Sequence, residues 1–144
     1  MKLSTKTRYG ARAAVEIARH YGKGPIKRKD IVQSQEIPDS YLENILIALK
    51  NGGIILTYRG AKGGYALQRP PAQITFLNIA NALEGRYVPV DCLEDPEVCK
   101  NTARCATRPI WQKLQQAQEN VLKSITLEHI IKNETATAGS DFCI

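Results

Sequence analysis

Ile37-Pro38-Asp39-Ser40-Tyr41-Leu42-Glu43-Asn44-Ile45-Leu46-Ile47-Ala48-Leu49-Lys50-Asn51-Gly52-Gly53 runs directly into Ile54-Ile55-Leu56-Thr57-Tyr58-Arg59-Gly60-Ala61-Lys62-Gly63-Gly64-Tyr65-Ala66-Leu67. Pro38 makes a turn, because proline fixes its own φ and disfavours helix in the residue before it. Asp39 or Ser40 then caps a helix to about Lys50, and Asn51-Gly52-Gly53 ends it. Leu42, Ile45, Leu46 and Leu49 share one side and pack. Ser40, Tyr41, Glu43 and Asn44 sit in the first turn and face away. Ile54–Tyr58 reads as a strand, Arg59–Gly64 as a basic glycine-rich turn, and Tyr65–Leu67 as the return strand.

Upstream lie two more helices. Ser4 or Thr5 caps one that runs to about His20, with Tyr9, Ala13, Ile17 and Tyr21 as a narrow buried stripe. Gly22-Lys23-Gly24-Pro25 ends it. A short helix follows over about Lys29–Gln35, with Ile31 and Val32 inward. Two short helices joined by a tight turn make a helix-turn-helix, and the hairpin after them makes a winged helix. The first turn of a recognition helix meets base edges in the major groove. Glu43 would accept from cytosine N4 and Asn44 would contact adenine. Arg59, Gly60 and Lys62 at the wing tip suit phosphates. The same residue types also suit a solvent-facing helix start, with Glu43 favoured by the positive end of the helix.

Charge agrees with a polyanion at one end only. Residues 1–70 hold 13 Lys/Arg against 5 Asp/Glu, whereas residues 71–144 hold 7 against 9. A basic face of this kind attracts nucleic acid. The glycine-rich turn is a poor nucleotide cradle, since it lacks a Gly-Lys-Ser/Thr ending and leads into a strand. No apolar run reaches the roughly 18 residues of a membrane span. The first residues lack a signal-peptide core, so a cytoplasmic location is expected.

Pro70-Pro71 marks a joint. Thr75 caps a helix over Phe76–Leu83, with Leu77, Ala80 and Leu83 inward and Gly85 as its stop. Residues 86–106 form a loop carrying Cys92, Cys99 and Cys105. A long helix runs from about Arg108 to Ser124, with Pro109 tolerated in its first turn. Ile110, Leu114, Ala117, Val121 and Ser124/Ile125 repeat in steps of four and three, a coiled-coil seam that points to a homodimer. Trp111 packs beside it. Thr126 caps a last helix to about Asn133. The expected organisation is a winged-helix domain over 1–70, a sensor loop with dimerisation helices over 71–133, and a mobile tail over 134–144. The fold class is mostly α with a small β-hairpin wing.

These marks together resemble the Rrf-two family of bacterial winged-helix regulators, the group that includes IscR, NsrR and CymR. They are Leu3-Ser4-Thr5-Lys6 with Arg8-Tyr9, Ser40-Tyr41-Leu42-Glu43, Arg59-Gly60 with Gly63-Gly64-Tyr65, the three cysteines, Trp111, and Ser124-Ile125-Thr126-Leu127. The resemblance covers about residues 1–133. It implies a homodimer with crossed long helices on double-stranded DNA at a pseudo-palindromic operator. It places Ser40, Tyr41 and Glu43 at the major groove and Arg59-Gly60 with the wing.

The spacing Cys92-x6-Cys99-x5-Cys105 resembles that of the cluster-binding members, which implies a 2Fe–2S or 4Fe–4S iron–sulfur cluster. The fourth ligand is open: Arg108 stands where several members carry His, and Arg8 stands where others offer Asp. Nearby carboxylates are Asp91, Glu94, Asp95 and Glu97, and Cys143 is a remote candidate. A thiol-redox switch needs only two cysteines and is the other reading. Zinc would favour paired Cys-x2-Cys spacing. An enzyme is not expected, because His20 and His129 lie in unrelated elements and neither is set beside a cysteine.

The chain ends Gly139-Ser140-Asp141-Phe142-Cys143-Ile144. This resembles the Ile-ended tails by which serine acetyltransferase and CymR-type regulators dock into cysteine synthase. Ile144 would be the plug and Phe142 a secondary anchor. A frayed terminus that ends on Ile by chance is the plainer reading. Two functions therefore stand: an operator-binding repressor set by a cluster or thiol state, and a cysteine-metabolism regulator set by a docked enzyme.

Overall fold

The computed structural model describes residues 3–138. Six helices and one hairpin follow in the order α1 (Thr5–Arg19), α2 (Arg28–Gln35), α3 (Asp39–Asn51), β1 (Ile55–Tyr58), β2 (Gly64–Leu67), α4 (Phe76–Glu84), α5 (Arg108–Ser124) and α6 (Leu127–Ala138). Phe142 and Ile144, with the rest of the expected tail after Ala138, lie outside the described residues.

Helix α1 begins where Ser4 accepts from the Thr7 amide at 3.1 Å. Its expected stripe is incomplete in two ways. Tyr21 is exposed, because the helix has already ended at Arg19. Ala11, Ala14, Val15 and Ala18 are buried alongside Ala13 and Ile17. A single stripe is too narrow because α3, α4 and α6 all pack on α1. The alanines let those neighbours approach, and at Gly10 an added Cβ would stand 2.3 Å from the Leu83 side chain.

Helices α2 and α3 are joined by a tight turn in which Glu36 takes the left-handed conformation, φ 52°. Leu42, Ile45, Leu46 and Leu49 of α3 are buried as their spacing requires. The hairpin pairs Ile55 with Leu67 through to Tyr58 with Gly64. A bridge between Ile26 and Tyr65 ties β2 to the segment before α2, with bonds of 2.9 and 2.8 Å. Gly64 makes this approach possible: its φ is 153°, and an added Cβ would sit 2.4 Å from the Ile26 carbonyl oxygen.

Thr75 starts α4 with a reciprocal cap. Its hydroxyl accepts from the Asn78 amide at 3.2 Å, and the Asn78 side chain accepts from the Thr75 amide at 2.9 Å. The core face of α4 differs from the expected one. Ile79 and Leu83 are buried, whereas Leu77 and Ala80 are half-buried. The latter two face a cavity of about 510 Å³ between the start of α1, α4 and α5, which Leu122 also lines.

The α5–α6 junction returns to the body. Thr126 pairs with Thr75 in an isolated bridge, the Phe76 amide donates to Ile125 at 2.7 Å, and the Leu127 amide donates to Ile74 at 3.0 Å. Leu127 is fully buried in the same apolar cluster as Leu42, Leu46 and Ile79. Helix α6 continues to Ala138, past the end near Asn133 read from the sequence. In this added length Glu134 makes a two-point pair with Arg19, with Nε to Oε2 at 3.1 Å. Arg19 also pairs with Glu16, which accepts from Gln35 at 2.9 Å.

Leu127→Ala should therefore cost roughly 2–5 kcal/mol, the range for emptying a well-packed core position. Chemical denaturation of the variant against the parent measures it.

Candidate nucleic-acid interface and cysteine loop

The first turn of α3 carries Ser40, Tyr41, Glu43 and Asn44, all exposed, because the apolar positions between and after them face the core. Tyr41 is partly committed elsewhere. Its ring meets Tyr9 of α1 edge-on, with centroids 5.6 Å apart, and Arg12 lies over the Tyr9 ring at 5.6 Å. The Asn44 amide donates to the Ser40 carbonyl at 3.4 Å, a long contact.

Arg28 at the start of α2 was not singled out by its pattern, yet it organises this edge. Its Nε lies 2.9 Å from Asp39 Oδ1 and its Nη1 lies 3.5 Å from Glu43 Oε1. One guanidinium thus holds the two acidic groups of the α3 first turn. The pair is solvent-exposed and adds little to stability. Its effect is to orient the Glu43 carboxylate and offset its charge. No periodicity could have revealed it, since the partners sit on different helices.

At the wing, Arg59, Gly60 and Lys62 are exposed at the tip. The Gly63 amide donates to Gly60 at 3.0 Å, which closes the turn. An added Cβ at Gly63 would stand 2.2 Å from the Tyr58 carbonyl oxygen, so the loop folds back tightly on β1. Among the described residues, neither Arg59 nor Lys62 is in an ion pair. Their charges are available to an external anion.

The cysteine loop is a chain of three single turns, at Asp91–Leu93, Pro96–Val98 and Thr102–Arg104. It is stapled to α5 where Arg86 meets Glu119 at 3.1 Å and Gln115 donates to the Tyr87 carbonyl at 3.1 Å. Cys92 and Cys105 are half-buried and Cys99 is exposed. Asp91, Glu94, Asp95 and Glu97 are exposed. Among the described residues, no three His, Cys, Asp or Glu side chains come together as a metal site. Cys143 lies outside those residues. His20 bonds the Glu16 carbonyl at 3.0 Å, and the His129 amide joins the Thr126 cap.

Arg108 stands where the resemblance would place a fourth ligand. Its Nη2 donates to the Cys92 carbonyl at 3.3 Å, while its Nε is buried without a partner. A guanidinium has donors and no acceptor, so it cannot ligate a metal. Three soft thiols have the right chemistry for an iron–sulfur cluster. Among the described residues the three do not come together at one point, and Arg108 supplies no fourth ligand, so a cluster here would need the loop to close around it.

Cys105 is distinct among the three. Its sulfur lies 3.2 Å from the Thr107 hydroxyl, next to the start of α5. The Thr107 hydroxyl, the Thr107 and Arg108 amides and the Arg108 charge lower its pKa below the ordinary thiol value.

Helix-turn-helix plus hairpin define a winged helix, and comparison with known proteins gives its kind. Residues 3–133 match the Rrf2 (Rrf-two) family, described as an iron-dependent transcriptional regulator. The chain belongs to the Rrf2 family of transcriptional regulators. It is 40% identical over 130 residues to the HTH-type transcriptional regulator CymR of Bacillus subtilis, covering 90% of this chain and 89% of that one. It is 33% identical over 141 residues to the regulator IscR of Xenorhabdus nematophila, covering 98% and 85%. The solved structure of CymR, described as the global cysteine regulator of B. subtilis, superposes with a TM-score of 0.77 at 38% identity, over 92% of this chain and 98% of that one. These relatives are regulators, not enzymes.

In metal-free protein at neutral pH, Cys105 should be alkylated faster than the more exposed Cys99, because the thiolate is the nucleophile and its fraction rises as the pKa falls. Thr107→Val should narrow the gap. Mass-spectrometric mapping of iodoacetamide adducts over time checks both.

Proposed function

We propose that this protein is a repressor that grips a pseudo-palindromic operator as a homodimer, with the cysteine loop as its sensor. The observation that carries the reading is the exposed first turn of α3 together with a wing tip whose Arg59 and Lys62 are in no ion pair among the described residues. Ser40, Glu43 and Asn44 read bases, with Tyr41 set against Tyr9. Arg59, Gly60 and Lys62 take phosphates. The location consistent with this role is the cytoplasm. Among the described residues, no helix is long and apolar enough to cross a membrane.

Glu43→Ala should lose preference at one C·G pair per half-site while keeping non-specific affinity, a discrimination worth about 1–3 kcal/mol. Lys62→Ala should weaken binding to all sequences and reduce the salt slope by roughly 1 per wing. Fluorescence anisotropy with competitor duplexes at several salt concentrations separates the two. Unchanged operator preference in Glu43→Ala would remove α3 from the recognition role.

The homodimer rests on α5. Ile110 and Val121 are 55% and 59% exposed in the single chain, on the row that also carries Leu114 and Ala117. Such a row is costly in water and suits an identical helix. Leu114→Asp should give a folded monomer by sedimentation that no longer holds the operator, since an unpaired carboxylate in an apolar seam is disfavoured by several kcal/mol.

Two signals are supported by different observations. The lowered Cys105 pKa supports a thiol-state sensor. The three-cysteine spacing and the likeness to IscR support a 2Fe–2S or 4Fe–4S cluster at Cys92, Cys99 and Cys105, which would require the loop to rearrange. Anaerobic purification with iron and sulfide analysis distinguishes them. The likeness to CymR supports a second reading, control of cysteine-related genes with cysteine synthase docked on Phe142 and Ile144. Titration of that enzyme with the intact chain and with a chain lacking Ile144 tests it, and equal affinity would sink it.

A further inference from the structure

Helix α3 carries one exposed large residue that the recognition reading has not used. Ile47 is 52% exposed, although Leu42, Ile45, Leu46 and Leu49 of the same helix are buried. It lies four residues after Glu43 and three after Asn44, so it continues the strip Ser40, Glu43, Asn44 by one turn. From Ser40 to Ile47 the strip rises about 10 Å, at 1.5 Å per residue. That length spans about three base-pair steps of 3.4 Å.

Isoleucine is a poor choice for a solvent-facing helix position. It has lower helix propensity than Lys, Glu or Gln, and it leaves apolar surface in water. Its neighbours on the exposed side are Glu43, Asn44, Lys50 and Asn51, all exposed and polar. Along α3 this apolar side chain stands among polar ones, which does not by itself make the contiguous patch a broad protein contact needs. It does suit a single apolar group presented among hydrogen-bonding ones. The floor of the major groove offers such a group, the C5-methyl of thymine, beside the donors and acceptors that Glu43 and Asn44 would meet.

We propose that Ile47 is a specificity residue that packs on a thymine methyl group one or two base pairs from the pair read by Glu43. The proposal rests on the assignment of α3 as the recognition helix and adds a base-reading residue to it. Arg28 lies against Asp39 and Glu43 in the first turn, one helical turn before Ile47.

The test uses the full chain and a preferred duplex selected from random sequence. Each thymine is replaced in turn by deoxyuridine, which keeps the hydrogen-bonding edge and removes only the methyl. One thymine per half-site should be sensitive, with affinity falling about fourfold per half-site, the loss for one buried methyl-sized group. Ile47→Ala should bind the thymine duplex that much more weakly and show no further loss with deoxyuridine. Ile47→Val should retain most of the sensitivity. Circular dichroism melting should show both variants folded, since the position is exposed. If the parent selects a sequence yet tolerates every deoxyuridine, or if Ile47→Ala remains as sensitive as the parent, the Ile47 contact is overturned and the recognition helix survives. If no sequence is preferred at all, both fall.

Discussion

The exposed edge of α3 depends on burial of its other side. Leu42, Ile45, Leu46 and Leu49 are locked into the core together with the alanine-rich face of α1. Successive helix residues are offset by about 100°, at 3.6 residues per turn, so a rotation of one residue would turn Glu43 inward and a leucine outward. That exchange would bury a carboxylate and expose apolar surface, both unfavourable. The apolar contact therefore sets which side chains can meet an external surface. The Ile26–Tyr65 bridge does the same for the wing, because it anchors β2 to the segment leading into α2.

Electrostatics then refine what packing exposes. An uncompensated Glu43 would repel a phosphate backbone, and Asp39 would add to the repulsion. Arg28 lies against both carboxylates and offsets that charge without removing the acceptor. The arrangement keeps Glu43 useful for hydrogen bonding while reducing its general cost. The wing carries the opposite design, with Arg59 and Lys62 left open to solvent.

The cysteine loop connects to the core of the winged helix through α5. Arg86 and Gln115 staple the start of the loop to that helix, and Arg108 joins its first turn to Cys92. At the far end of α5, Ile125 and Leu127 clip into the start of α4 and the common core. Cys105 thus stands three residues before a helix whose opposite end is anchored in the core shared with the winged helix.

Local pattern alone determined much of this protein. Apolar spacing within α3, the Pro38 turn, the Thr75 cap and the glycine-rich hairpin are short-range signals, and each appears where those residues stand. The approximate span of α5 was legible, since Pro109 suits its first turn and a regular seam runs along it. Nothing local could reveal which residues from separate elements would meet. The breadth of the α1 core face required three packing partners, so the stripe through Tyr21 was too narrow. The pairing of Glu134 in the last turns of α6 with Arg19, more than a hundred positions earlier, could not be read locally. Arg28 beside Glu43, Tyr9 against Tyr41 and Arg108 on the Cys92 carbonyl are likewise products of helix docking. Spacing placed three thiols in one loop, but their separation in space was decided by the path of the turns between them. Hydrophobic periodicity is written in neighbours along the chain, whereas charge pairing and ligand convergence are written in distances that only the folded backbone sets.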